Sequence, residues 1–153
     1  MKSFFSTALA ILLFLVSCNQ DDTNNVPNPS YFTINGTTYQ VISVQGAGGI
    51  FTASGSHSAD VGSVAVYFYN NVLPTTNGTY NISDSANGSN NIYVTASTNS
   101  GGTTKTYTSF DTATQSKAAV TVNKGKLTIQ FSDVAMQDGS GNTIKLSATL
   151  KQD

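Results

Sequence analysis

The chain has 153 residues with seven Lys, eight Asp, one His and one Cys, and it contains no Arg, Glu or Trp, for a formal net charge of −1. That length fits one folded domain, and the lack of a basic cluster argues against a nucleic-acid partner, which needs Lys and Arg to neutralise phosphates. With 19 Ser, 21 Thr, 15 Asn and 13 Gly the bias is that of exported, turn-rich β domains. Acid–base chemistry has few groups to draw on, so the chain reads as a non-enzyme with no cofactor and no metal.

Met1, Lys2 and Ser3 make a short positive start, and Phe4 to Val16 is an almost unbroken apolar run of 13 residues. That is the length of a signal-peptide core and too short for a bilayer span of about 20 residues. The run ends at Leu15-Val16-Ser17-Cys18, which resembles the lipobox of bacterial lipoproteins. The resemblance implies a signal peptide over residues 1–17, cleavage before Cys18, a diacylglycerol on its thiol and an acyl chain on the new amino group. Cys18 is the only cysteine, and an exported lone thiol is a reactive liability unless its sulfur is consumed; thioether formation consumes it. Residues 18–29 then form a polar, Pro-bearing tether with nothing to bury. Asp21 and Asp22 resemble the acidic export signal of surface lipoproteins in some Gram-negative bacteria, which implies an outer-membrane location, facing outward if the signal is read.

Residues 30–153 read as a single all-β domain of about ten strands, an antiparallel β-sandwich or alternatively a closed β-barrel built from the same hairpins. Asn35-Gly36 separates Tyr31–Ile34 from Thr37–Gln45 as a two-residue hairpin turn. Strands follow at Ile50–Ser56, Ser63–Asn70 and Gly78–Ile82. Val64, Val66 and Phe68 alternate with Ala65, Tyr67 and Tyr69, so that strand is apolar on both faces and central in its sheet. Asn99-Ser100-Gly101-Gly102 parts Ile92–Thr98 from Thr103–Phe110, and Lys124-Gly125 parts Ala119–Asn123 from Lys126–Met136. Leu127, Ile129 and Phe131 keep a period of two that slips by one at Ser132-Asp133, which predicts a β-bulge. Ile144, Leu146, Ala148 and Leu150 form the last apolar face. Phe32-Thr33-Ile34-Asn35-Gly36 with Tyr39, Asn77-Gly78-Thr79-Tyr80 and the final hairpin resemble small all-β lipoproteins of Gram-negative bacteria. That resemblance implies the fold and transfers no activity.

His57 lies in the small-residue stretch Ser54–Asp60, where neighbouring Ser, His and Asp cannot form a triad by adjacency; it reads as an exposed loop histidine. No two of the aspartates are spaced to straddle a substrate. Asp138, Ser140 and Asn142 offer oxygens at alternate positions, but the acid a calcium loop needs further on is replaced by Thr149, so the segment reads as a hairpin turn. Tyr67, Tyr69, Tyr93 and Tyr107 are the candidate ligand-binding residues, because a tyrosine on the polar side of a strand offers an apolar face and a hydrogen-bonding tip to a glycan or small ligand. Asp84-Ser85-Ala86 and Asp111-Thr112-Ala113 resemble the O-glycosylation motif of exported proteins in some Gram-negative bacteria, with Ser85 and Thr112 as acceptors. The expected protein is a lipid-anchored envelope component that binds or builds, its partners being membrane lipid through Cys18 and a glycan or envelope protein. A ligand-binding barrel is the alternative, and a hydrolase on the same scaffold a third reading.

Overall fold

A computed structural model describes residues 29–153; the signal-peptide reading, Cys18, Asp21 and Asp22 lie outside them. The described chain is all-β, with strands β1 (Tyr31–Ile34), β2 (Thr37–Ala47), β3 (Ile50–His57), β4 (Asp60–Phe68), β5 (Gly78–Ser83), β6 (Asn91–Ser100), β7 (Thr103–Ser109), β8 (Lys117–Asn123), β9 (Lys126–Gln137) and β10 (Thr143–Lys151). A single 3-10 turn, Tyr69–Asn71, follows β4.

All ten strands belong to one sheet in the order β10-β1-β2-β3-β4-β6-β5-β8-β9-β7, with further pairings of β10 to β9 and β6 to β7. The hydrogen bonding therefore closes into a circuit. Every pair is antiparallel except β5 with β6, which is parallel over Asn81–Ser83 and Asn91–Tyr93. A parallel pair ordinarily needs a crossover of a dozen or more residues. Here residues 84–90 suffice because only three residues pair on each strand. Past Tyr93, β6 changes neighbour and takes β7 from Thr95 onward. At that fork Val94 N–H donates to Ser109 Oγ, 3.0 Å, and Ser109 Oγ donates to the Ser83 carbonyl. The buried hydroxyl thus satisfies an amide that neither neighbouring strand reaches.

The inward positions of the circuit carry Phe32, Phe51, Val64, Val66, Ile92, Val94, Ile129, Met136, Leu146 and Leu150, all fully buried in one apolar core. The predicted bulge is present: Leu146 pairs with Val134 and Ala148 with Phe131, so Ser147 faces both Ser132 and Asp133. Asp133 takes φ 52 and its N–H donates to Ser147 Oγ at 2.9 Å.

Strand β4 lies between β3 and β6, as its two apolar faces require. It ends at Phe68 rather than Asn70, since Asn70 (φ 55) and Asn71 (φ 54) are left-handed, a conformation Asn tolerates better than other side-chain-bearing residues. The pairing registers put the turns at Asn35-Gly36, Ser58-Ala59 and Gly101-Gly102 at the end of the circuit opposite Ser30 and Lys151. Ser30 is held where the chain enters: its Oγ accepts from Lys151 N–H at 2.9 Å, and its carbonyl accepts from Val41 N–H at 3.1 Å.

Candidate functional site

On the outer face of β4 and β6, Tyr67 pairs in register with Tyr93. Their rings meet at 5.5 Å between centroids with planes 44° apart. Tyr69, 42% exposed, continues the aromatic surface past the end of β4. These three tyrosines line an open groove of about 780 Å³ together with Thr95 on β6, Asn70 and Asn71 after β4, and Asp84–Asn87 after β5.

The two walls have separate causes. One is the left-handed Asn70-Asn71 turn, which the β2–β3 hairpin props from behind: Phe68 N–H donates to the Gly49 carbonyl at 2.8 Å. A Cβ on Gly49 would lie 2.1–2.4 Å from the Asn71 backbone and Val72 N, and Gly49 itself has φ +73. Gly49→Ala is therefore expected to destabilise the domain by about 2–4 kcal/mol, the left-handed penalty and the overlap acting together. Chemical denaturation checks this, and amide shifts at Asn70 and Asn71 should move with it.

The other wall is the short connection that makes the parallel β5–β6 pair possible. Ser85 Oγ donates to Asp84 Oδ1 at 2.8 Å and accepts from Asn87 Nδ2 at 3.0 Å, while Asn91 Nδ2 donates to the Asn87 carbonyl at 2.8 Å. Asp84 N–H donates to Asp111 Oδ1 at 3.2 Å. The wall is thus held in place before any ligand arrives, which reduces the ordering cost of binding. Tyrosine faces with amide side chains on both sides and the Asp84 carboxylate on one form a surface suited to a ligand with apolar C–H faces and many hydroxyls.

Of the four candidate tyrosines, the structure gathers Tyr67, Tyr69 and Tyr93. Tyr107 is corrected in position: it is only 8% exposed and faces inward, not onto the polar side of its strand with the other three. In β7 the inward positions are those of Tyr107 and Ser109, leaving Thr106 and Thr108 outward, and the run of threonines around Tyr107 concealed which face was apolar. Asn70, Asn71 and Asn87 are groove residues that residue type alone does not mark, and Asp84 carries a sequence signal only within the Asp84-Ser85-Ala86 motif. The Asn pair directly after an aromatic strand was the available signal, because paired asparagines mark a turn that presents two amides.

His57 Nδ1 lies 2.9 Å from the Thr38 carbonyl, and since a carbonyl only accepts, Nδ1 carries the proton. The imidazole also sits edge-on to Tyr39 at 6.1 Å and pairs in register with Asp60, at the end of the circuit away from Asp84 and Asp111. Asp138 accepts from Ser140 N–H, Asn142 N–H and Asn142 Nδ2, each at 2.9 Å. Those bonds, led by the Asn142 side chain, hold its carboxyl below the usual Asp range, and its oxygens are spent on closing the turn. Among the described residues no group of three or more His, Cys, Asp or Glu is placed to hold a metal ion. Asp84-Ser85-Ala86 and Asp111-Thr112-Ala113 come together through the Asp84–Asp111 bond; Thr112 Oγ donates to the Thr114 carbonyl. No protein-family model, curated protein or solved structure matches this chain.

Proposed function

We propose that this is a lipid-anchored envelope protein, held by acyl chains on Cys18, that binds a glycan in the groove of Tyr67, Tyr69 and Tyr93. The observation that carries the reading is the contact of the Tyr67 and Tyr93 rings in a groove that Tyr69 also lines, between two pre-formed polar walls. Two or three acyl chains, at about 0.8 kcal/mol per buried methylene, make the anchoring effectively permanent. The stretch from Cys18 to Ser30, even fully extended, reaches no more than about 40 Å, so a bound glycan stays close to the membrane. The middle of the circuit is packed with side chains, which favours the outer groove over a central lumen as the glycan surface.

Affinity electrophoresis through gels containing β-glucan, mannan or galactan tests the reading. At least one polysaccharide should retard the wild-type protein, and Tyr67→Ala or Tyr93→Ala should weaken that interaction about tenfold or more, the loss typical of a buried aromatic anchor. Both rings lie on the outer face, so the fold should survive either change. Retardation that is unchanged in both variants would refute the groove.

A further inference from the structure

At the end of the circuit opposite the chain termini the inward positions change character. Deep in the circuit they are Phe, Ile and Val; toward this end they become Thr37 on β2, Thr98 and Ser100 on β6, and Thr103 and Lys105 on β7. Together with Asn35 they surround a pocket of about 430 Å³ whose remaining lining includes Tyr39 and Tyr107. Both tyrosines are more than nine-tenths buried, at 3% and 8% exposure. Tyr39 is stacked on Phe32 at 5.1 Å. Gly62 makes room for that stack, since a Cβ there would lie 3.0 Å from both rings.

Every fully buried side-chain nitrogen and oxygen among the described residues is hydrogen-bonded. Among the described residues neither phenol hydroxyl takes part in a side-chain hydrogen bond, so neither is fully buried, and both residues line the pocket. Two sunken, unpartnered hydroxyls and an ammonium form an arrangement rich in donors, and Lys105 is the one charged residue in the lining. We propose that this pocket is a second binding site, distinct from the tyrosine groove, that takes a carboxylate-bearing ligand of monosaccharide size, its carboxylate accepting from Lys105 Nζ and the hydroxyls of Tyr39 and Tyr107.

Burial, with the nearby Asp60 carboxylate and Tyr107, pushes the Tyr39 phenol above its usual range. It therefore stays a protonated donor at neutral pH. Asp60 faces Tyr39 from β4 without lining the pocket. Asp138, near enough to feel Lys105, has its carboxylate committed to its own turn, which leaves the ammonium available. The volume lies within the range of small-molecule sites.

The test uses the full chain in detergent micelles and saturation-transfer NMR, with glucuronate against glucose and lactate against glycerol, pairs in which one member carries the carboxylate. Glucuronate should bind about tenfold or more tighter than glucose, as a charge-assisted hydrogen bond requires. Lys105→Gln should erase that preference, whereas Lys117→Gln, which removes a lysine elsewhere on the surface, should leave it intact. Tyr39→Phe and Tyr107→Phe, which delete only the hydroxyls, should each weaken glucuronate binding several-fold. Equal responses to glucuronate and glucose, no response to glucuronate, or a preference that survives Lys105→Gln would each overturn the proposal. None of those results bears on the polysaccharide binding lost in Tyr67→Ala, so the two sites stand or fall separately.

Discussion

Phe32→Ala should lower the unfolding free energy by about 3–5 kcal/mol, a large part of the roughly 5–15 kcal/mol that holds a typical domain together. Phe32 is fully buried and ties together four successive strands of the circuit. It sits on β1, stacks on Tyr39 of β2, and its ring edges reach the positions of Gly55 on β3 and Gly62 on β4. Those glycines pair with each other in register and form a notch that the two aromatic rings fill. Truncating Phe32 empties the notch, and the backbone cannot close it because the strands on either side are fixed by their hydrogen bonds. Thermal unfolding followed by circular dichroism should show a midpoint lowered by roughly 10 °C or more. Phe32→Leu should recover much of the loss. A midpoint within a degree or two of wild type would mean that the notch does not hold the core.

Cys18→Ala should abolish membrane anchoring. The apolar run Phe4–Val16 ends in Leu15-Val16-Ser17-Cys18, and the only sulfur able to take a diacylglycerol by the lipoprotein route is that of Cys18. Without it the variant should persist as an unprocessed precursor and take up no labelled palmitate. A single acyl chain binds a membrane only marginally, and two or three hold it durably, so the loss should be of the whole anchored fraction rather than a part. Palmitate incorporation and precursor mobility in cells provide the measurement. Normal processing and labelling in Cys18→Ala would refute the anchor.

Much of this fold could be read along the chain because its determinants are local. Asn35-Gly36 and Lys124-Gly125 turn where the structure turns, with Asn35 and Lys124 both at positive φ. The slip in alternation at Ser132-Asp133 became a bulge because a period of two has no way to absorb an extra residue other than to expel it from the ladder. The parallel β5–β6 pair was hidden. A hairpin and a short parallel return both consist of two strands and a polar connection, and only long-range pairing separates them. The inward placement of Tyr107 was hidden for a related reason: with threonine on both sides of it in Thr103–Thr108, no apolar alternation fixes the inward face. The groove itself was half legible. Tyr67, Tyr69 and Tyr93 were recognisable as residue types, but the register of β4 with β6 and the walls at Asn70-Asn71 and Asp84–Asn87 exist only once strands distant in sequence are side by side.

Whether Tyr67 and Tyr93 form a glycan-binding surface is read from an NMR titration of their assigned ring resonances with a soluble oligosaccharide of the polysaccharide that retards the protein most. Both rings should shift with a common saturation curve, sugar C–H protons should move upfield from stacking on the ring faces, and Phe51 in the core should stay still. Saturation of the oligosaccharide on the protein without movement of either tyrosine would contradict such a surface.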